Sequence, residues 1–165
     1  VSMNGNYLRV TTAQLAQAIG DPEWAVGFAE AVMDAEDDVQ RRPFDARYLT
    51  THKAWHAIGF LLEQVGFPVD IVYGEQTFTD EDWGYEPPKY LDAEQVQLAA
   101  DALAKISFND LVEDTDPADL TRAEIYPQMW DEPDALVWVQ SWFQPIVPFF
   151  KAAARYGEAI IVWID

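Results

Sequence analysis

The stretch "YGEAIIVWID" (Tyr156–Asp165) carries six apolar residues in a row, Ala159–Ile164, behind a glycine. A strand with one face in water alternates apolar and polar side chains. A strand covered on both faces has no such alternation. The run therefore predicts an interior strand with packing layers on both sides. Upstream lies a long apolar helical stretch, "PDALVWVQSWFQPIVPFFKAAARYG" (Pro133–Gly157). Pro133 suits a first helical position. Pro145 and Pro148 must kink or split the helix, because each removes a hydrogen bond and clashes with the preceding turn. An interior strand fed by helices predicts an α/β fold.

Working outward, "NYLRVT" (Asn6–Thr11) reads as a strand with Tyr7, Arg9 and Thr11 on one face and Leu8 and Val10 on the other. Thr12 is the expected cap of a helix to Ile19, stopped by Gly20–Pro22. A second helix is predicted over Glu23–Val32, with Trp24, Phe28 and Val32 at helical spacing. Asp34–Asp45 reads as a solvated helix end and loop. The spacing predicts a helix over Thr51–Val65, with Gly66 at its C′ position and Pro68 as a stop. Asp70–Gly74 is predicted as a short strand and Thr77–Pro88 as a loop. The clearest helix is "LDAEQVQLAADALAKI", where Asp92 caps and Gln95 sits three residues on, the capping-box spacing. Ser107 and Asp116 open two short helices. No repeat, linker or low-complexity segment divides the chain, so one domain over 1–165 is expected.

The chain has 165 residues and no cysteine, which excludes disulfides, thiolate catalysis and cysteine-based zinc sites. Seven Trp, seven Tyr and nine Phe make it too aromatic for disorder. The net charge is −19, with acids spread over both halves of the chain. Nucleic acid and anionic membranes are disfavoured partners, because both are bound through Lys and Arg. A basic protein or a small molecule fits this charge. No apolar run is long enough to span a membrane, and "VSMNGNYLRV" lacks a signal-peptide pattern, so a cytoplasmic location is expected.

The two histidines, His52 and His56, sit four residues apart in "THKAWHAIGFLLEQVG" (Thr51–Gly66). On a helical wheel they share a face roughly opposite the core stripe of Trp55, Ile58, Leu62 and Val65, with a gap at Gly59. A metal needs a third ligand within about 2 Å. Glu63 lies about 10.5 Å further along the axis from His56, and the zincin patterns are absent. Asp114–Glu124 and Asp80–Glu86 fail as calcium loops, lacking ligands and glycine where these are required. Nucleophile-elbow, dinucleotide and P-loop motifs are missing. No metal and no cofactor are predicted. In "AEIYPQMWDEPD" (Ala123–Asp134), Glu124 and Tyr126 either line a cleft or simply end a short element and pack.

Several blocks taken together resemble the YfbM-like family of bacterial domains of unknown function. They are "GNYLRVT" (Gly5–Thr11), "KAWHAIGFLL" (Lys53–Leu62), "GYEPPKYLDAEQV" (Gly84–Val96), "KISF" (Lys105–Phe108), "AEIYPQMWDE" (Ala123–Glu132) and "YGEAIIVWID". They fall in order over nearly the whole chain. The resemblance implies a three-layer α/β/α sandwich with a mixed sheet, and it brings no catalytic mechanism. It marks Tyr7, Arg9, Lys53, His56, Lys89, Glu124 and Tyr126 as polar residues within the shared blocks. His52 departs from the family pattern, which more often has an acid there.

The leading expectation is a binding protein without catalysis, which neutralises a basic protein partner as an antidote neutralises a toxin nuclease. The rival is an enzyme or small-ligand binder whose cleft gathers His56, Tyr7, Lys53, Glu124 and Tyr126, with His56 as acid–base group because its ordinary pKa is near neutrality.

Overall fold

The computed structural model describes residues 2–165. Strand β1 (Gly5–Val10) leads into helices α1 (Thr12–Gly20) and α2 (Pro22–Asp37), and the chain returns as strand β2 (Tyr48–His52). Helix α3 (Trp55–Gln64) and the short strands β3 (Gln76–Thr77) and β4 (Lys89–Leu91) follow. Then come α4 (Ala93–Ala104), α5 (Phe108–Val112), α6 (Pro117–Arg122), α7 (Ala135–Phe143), α8 (Ile146–Arg155) and the closing strand β5 (Ala159–Ile164).

The sheet order is β2-β1-β5-β4-β3, which puts the last strand in the middle. β5 pairs with β1 from Gly5↔Ile164 to Val10↔Ala159, and with β4 from Lys89↔Val162 to Leu91↔Ile160. Every pairing is antiparallel, which corrects the expected mixed sheet. The helical excursion after β4 returns the chain against the direction of both neighbours. The unbroken apolar run of β5 therefore reflects its central position and not a parallel sheet. Leu8, Val10, Ala159, Ile161 and Trp163 face Leu15 and Ala18 of α1 and Ala25 and Ala29 of α2. Tyr7, Leu91, Ile160, Val162 and Ile164 face the opposite way, into a larger cluster with Leu61, Val96, Leu103, Phe149 and Phe150.

Local chemistry places the helix ends. Thr11, not Thr12, caps α1: its hydroxyl accepts from the Gln14 N–H at 3.1 Å, and the Gln14 side chain accepts from the Thr11 N–H at 2.9 Å. Asp21 caps α2 with Pro22 behind it, and the helix runs on to Asp37 through residues expected to be a fraying end and loop. The box at Asp92 and Gln95 and the cap at Ser107 form as expected, and α6 starts beside Asp116, whose N–H donates to the Asp119 carboxylate at 2.8 Å. The long apolar helix divides into α7 and α8 at Gln144–Pro145. Pro148 then falls in the first turn of α8, where no N–H is needed. Asp134, not Pro133, borders α7. Gly157 ends α8 at φ 66°, with Glu158 N–H donating to the Ala153 carbonyl at 2.9 Å.

Two expected elements change identity. The helix predicted from Thr51 begins at Trp55, because Tyr48–His52 pairs with β1 as an edge strand. Asp70–Gly74 is a turn and not a strand: the Asp70 carboxylate accepts from the N–H groups of Val72 and Tyr73, and Gly74 sits at φ 85°. The strand pairing of this region is made instead by β3 with β4, where a loop was expected at Thr77.

Gly5 allows β1 to meet the start of α3. A Cβ there would lie 2.5 Å from Thr51 Oγ1 and 2.6 Å from Trp55 Cβ. Gly27, on the exposed side of α2, has nothing within 4 Å of that position. Gly5→Ala is expected to destabilise by about 1–3 kcal/mol through overpacking. Gly27→Ala is expected to stabilise by about 0.5–1 kcal/mol. Urea unfolding followed by tryptophan fluorescence measures both.

Candidate functional site

Helix α3 ends with Gly66 at φ 68°, and Phe67 N–H donates back to the Leu62 carbonyl at 3.0 Å. This turn sends the chain back beside the helix as a loop. Asp70 fixes the loop: its carboxylate accepts from Val72 N–H at 3.2 Å and Tyr73 N–H at 2.9 Å. Glu75 adds to this, since its Oε1 accepts from Asp70 N–H at 2.8 Å. Val72 packs over Gly59, 3.4 Å from where a Cβ would lie. A groove of about 520 Å³ opens between helix and loop. Its floor is apolar, from Leu62, Ile71, Val72 and Ile125, with Phe60, Phe67 and Tyr73 along it.

The charged residues lining the groove are Glu63, Asp70 and Glu75, and neither Lys nor Arg lines it. Tyr73 is 39% exposed. Its phenol is nevertheless pushed up, first by partial burial and then by the charges of Glu86, Asp70 and Glu63, which marks the local potential as negative.

His56 enters the groove from the first turn of α3. Its ring stacks on Trp55 at 5.1 Å between centroids, and Nδ1 accepts the backbone N–H of Tyr126 at 2.9 Å. Burial holds its pKa below the ordinary 6.5. The accepting lone pair on Nδ1 places the proton of the neutral ring on Nε2. The Tyr126 hydroxyl accepts from Met3 N–H at 3.1 Å, and Trp55 Nε1 donates to the Met3 carbonyl at 2.8 Å. Met3, Trp55, His56 and Tyr126 thus form one knot.

Of the residues singled out in the sequence, His56 alone lines the groove. Tyr126 reaches it only through that backbone bond. Tyr7 is buried against Phe149 and Phe150, and burial raises its phenol far above the ordinary range. Lys53 is half-buried in the turn between β2 and α3. Glu124 is exposed at φ 54°, where it ends α6: Ile125 N–H donates to the Leu120 carbonyl at 3.0 Å. Lys89 is half-buried in β4, with its Cβ against Gly74. Arg9 is 5% exposed; its guanidinium meets Glu158 at 2.7 Å and donates to the carbonyls of Phe44 and Ala46. The histidines do not share a helical face, because His52 closes β2 at φ 51° beside Trp142. Among the described residues, no three His, Asp or Glu side chains are grouped to hold a metal ion. Among the same residues, no helix is long and apolar enough to cross a membrane.

Glu63, Asp70, Tyr73 and Glu75 were missed as site residues. The available signal was Asp70 ahead of Gly74, which is turn chemistry, but the apolar Ile71 and Val72 between them read as a strand.

A family model described as a domain of unknown function, DUF1877, matches residues 1–163. The chain belongs to the DUF1877 family. The crystal structure of YfbM from Escherichia coli, described as a protein of unknown function, matches at a TM-score of 0.66 and 16% identity. The match covers 98% of this chain and 99% of that one, so the YfbM-like resemblance read from the sequence holds for the fold. No curated protein matches the chain.

The His56 geometry in this DUF1877 chain has a consequence for pH. The folded pKa is depressed, so below the ordinary 6.5 the unfolded state takes up the proton first. Stability contributed by neutral His56 is present above that value and is lost as pH falls through it towards the depressed folded value. Urea unfolding at about pH 7.5 and about pH 5.5 should show wild type losing more stability than His56→Asn, whose amide oxygen accepts from Tyr126 without titrating.

Proposed function

We propose that the chain is a three-layer α/β/α binding domain that works without catalysis and holds a basic protein partner at the acidic groove beside α3. The observation that carries this reading is the groove's charge. Glu63, Asp70 and Glu75 line it without a Lys or Arg among them, and backbone N–H groups hold two of the three carboxylates in place. A cationic group entering there meets oriented acceptors, so little ordering is left to be done on binding. The overall charge of −19 adds long-range attraction for such a partner and neutralises part of its charge on contact.

The same geometry speaks against the acid–base alternative. A general base needs a free lone pair. The lone pair of His56 already accepts the Tyr126 N–H, and its other nitrogen carries the proton. Protonating His56 would break a bond that ties α3 to the segment after α6.

The charge-neutral pair Glu63→Gln and Glu75→Gln tests the reading, because glutamine keeps the Oε1 that accepts from Asp70. A lysate passed over immobilised wild type at low salt should leave basic proteins that elute as salt rises. The double variant should retain much less of them. Removing two charges from α2 with Glu30→Gln and Asp34→Asn should change retention little. Retention that ignores salt, or that falls equally for both double variants, would remove the groove from the account.

A further inference from the structure

Building on the cationic-partner reading, we propose that the groove seats an arginine side chain presented on a peptide segment of that partner, whose backbone carbonyl accepts from His56 Nε2–H.

Three observations select this occupant. The first is space. About 520 Å³ lies within the range of pockets that enclose whole ligands, and it holds a long side chain with its flanking backbone. The second is the combination of surfaces. The apolar lining suits an aliphatic stem, and exposed Tyr73 and half-buried Phe60 put aromatic rings at the groove. A guanidinium is planar, weakly hydrated and stacks on such faces, whereas an ammonium is a strongly hydrated point charge. The third is the set of free polar atoms. Asp70 uses Oδ1 for the loop, and Glu75 uses Oε1, which leaves one oxygen of each open. Among the described residues Glu63 makes no ion pair, so both its oxygens are open to the forked donors of arginine. His56 is the exception in this acceptor-rich groove. Among the described residues its Nε2 makes no hydrogen bond to the protein, and it carries the ring proton, so it is free to donate to a ligand acceptor. A free amine has none to offer. A peptide carbonyl next to the arginine does.

The occupant is therefore defined by two complementary features, a guanidinium for the carboxylates and a carbonyl for His56. An anionic ligand would face three carboxylates and is rejected by the same groove.

Titrating blocked tripeptides Gly-Arg-Gly, Gly-Lys-Gly and Gly-citrulline-Gly into labelled protein, with backbone amide shifts as the readout, tests this. The arginine peptide should shift the amides of Glu63, Val72 and Tyr73 saturably. The lysine peptide should bind several-fold more weakly. Citrulline, which keeps the shape and loses the charge, should bind at least about tenfold more weakly. Glu63→Gln with Glu75→Gln should weaken the arginine peptide by about tenfold or more. Free arginine amide, with a single carbonyl and a charged amine, should bind more weakly than the blocked peptide. Equal binding of arginine and citrulline, equal binding of arginine and lysine, or shifts confined to other surfaces would overturn the assignment. If salt-sensitive capture of basic proteins persists while the arginine peptide leaves the groove amides unmoved, this inference fails and the broader reading stands. If capture is also absent, both fail.

Discussion

Strand β5 pairs with β1 along all six of its residues and with β4 along three, and its side chains feed both apolar clusters. Ile160, Val162 and Ile164 face one cluster; Ala159, Ile161 and Trp163 face the other. All six are at most 4% exposed. Fully burying one Ile or Val side chain contributes about 1.5–3 kcal/mol, so this strand ties the two layers to the sheet more strongly than any cap or surface pair. Its partners come from residues 5–10 and 89–91, so the sheet joins segments about 70 and 150 residues apart and cannot close before residues 159–164 are in place. The β1–β5 pairing continues past the strand ends, where Asn4 and Asp165 exchange backbone hydrogen bonds at 2.7 and 3.0 Å. That extension brings Met3 to Trp55 and Tyr126, so the central strand also sets the knot behind the groove.

The elements legible in the sequence were those whose signals are local. The capping box at Asp92, the cap at Ser107, the helix start near Asp116, the glycine stops at Gly66 and Gly157, and the apolar run of β5 all need only a few neighbouring residues. The misread elements depend on contacts distant in sequence. Tyr48–His52 is a strand because β1 lies beside it, and Gly5 leaves room for Thr51 and Trp55. The helix expected from Thr51 begins four residues before α3 and takes in the last two residues of β2, which placed His52 on the wrong element. The sheet direction was likewise beyond the pattern, since an apolar run reports burial on two faces and not the direction of its neighbours.

Legibility of the candidate site follows the same division. His56 was visible as a polar residue beside Gly59 on an otherwise packed helix, and it does line the groove. Its role was not visible, because the Tyr126 N–H that occupies Nδ1 comes from 70 residues away. Arg9 stood out as a cation in an apolar strand, yet its partner Glu158 lies 149 residues on. A charge in a buried strand must be paired, because an unpaired one would be costly to desolvate. Sequence alone marks such a residue as special without saying whether it binds a ligand or its own fold.

The distribution of cations gives the groove its character. Arg9, Arg41, Arg42 and Arg47 all pair around the segment after α2, with Glu158, Glu36 and Asp45. Arg9 and Arg47 together hold that segment against β1 and the end of α8, through carbonyls of Phe44, Ala46 and Arg9 itself. The remaining described ion pair, Arg122 with Asp119, lies within α6. Five of the ten Lys and Arg residues are thus used in ion pairs that hold the fold, and Glu63, Asp70 and Glu75 make no ion pair among the described residues. Uncompensated carboxylates repel one another and oppose compaction. On an open surface, water and salt would screen that repulsion. Beside an apolar floor, with two of the acids held rigid by backbone N–H groups, screening is weaker and the acids cannot swing apart. A cationic group supplied by a binding partner would relieve that repulsion, which no ion pair among the described residues offsets.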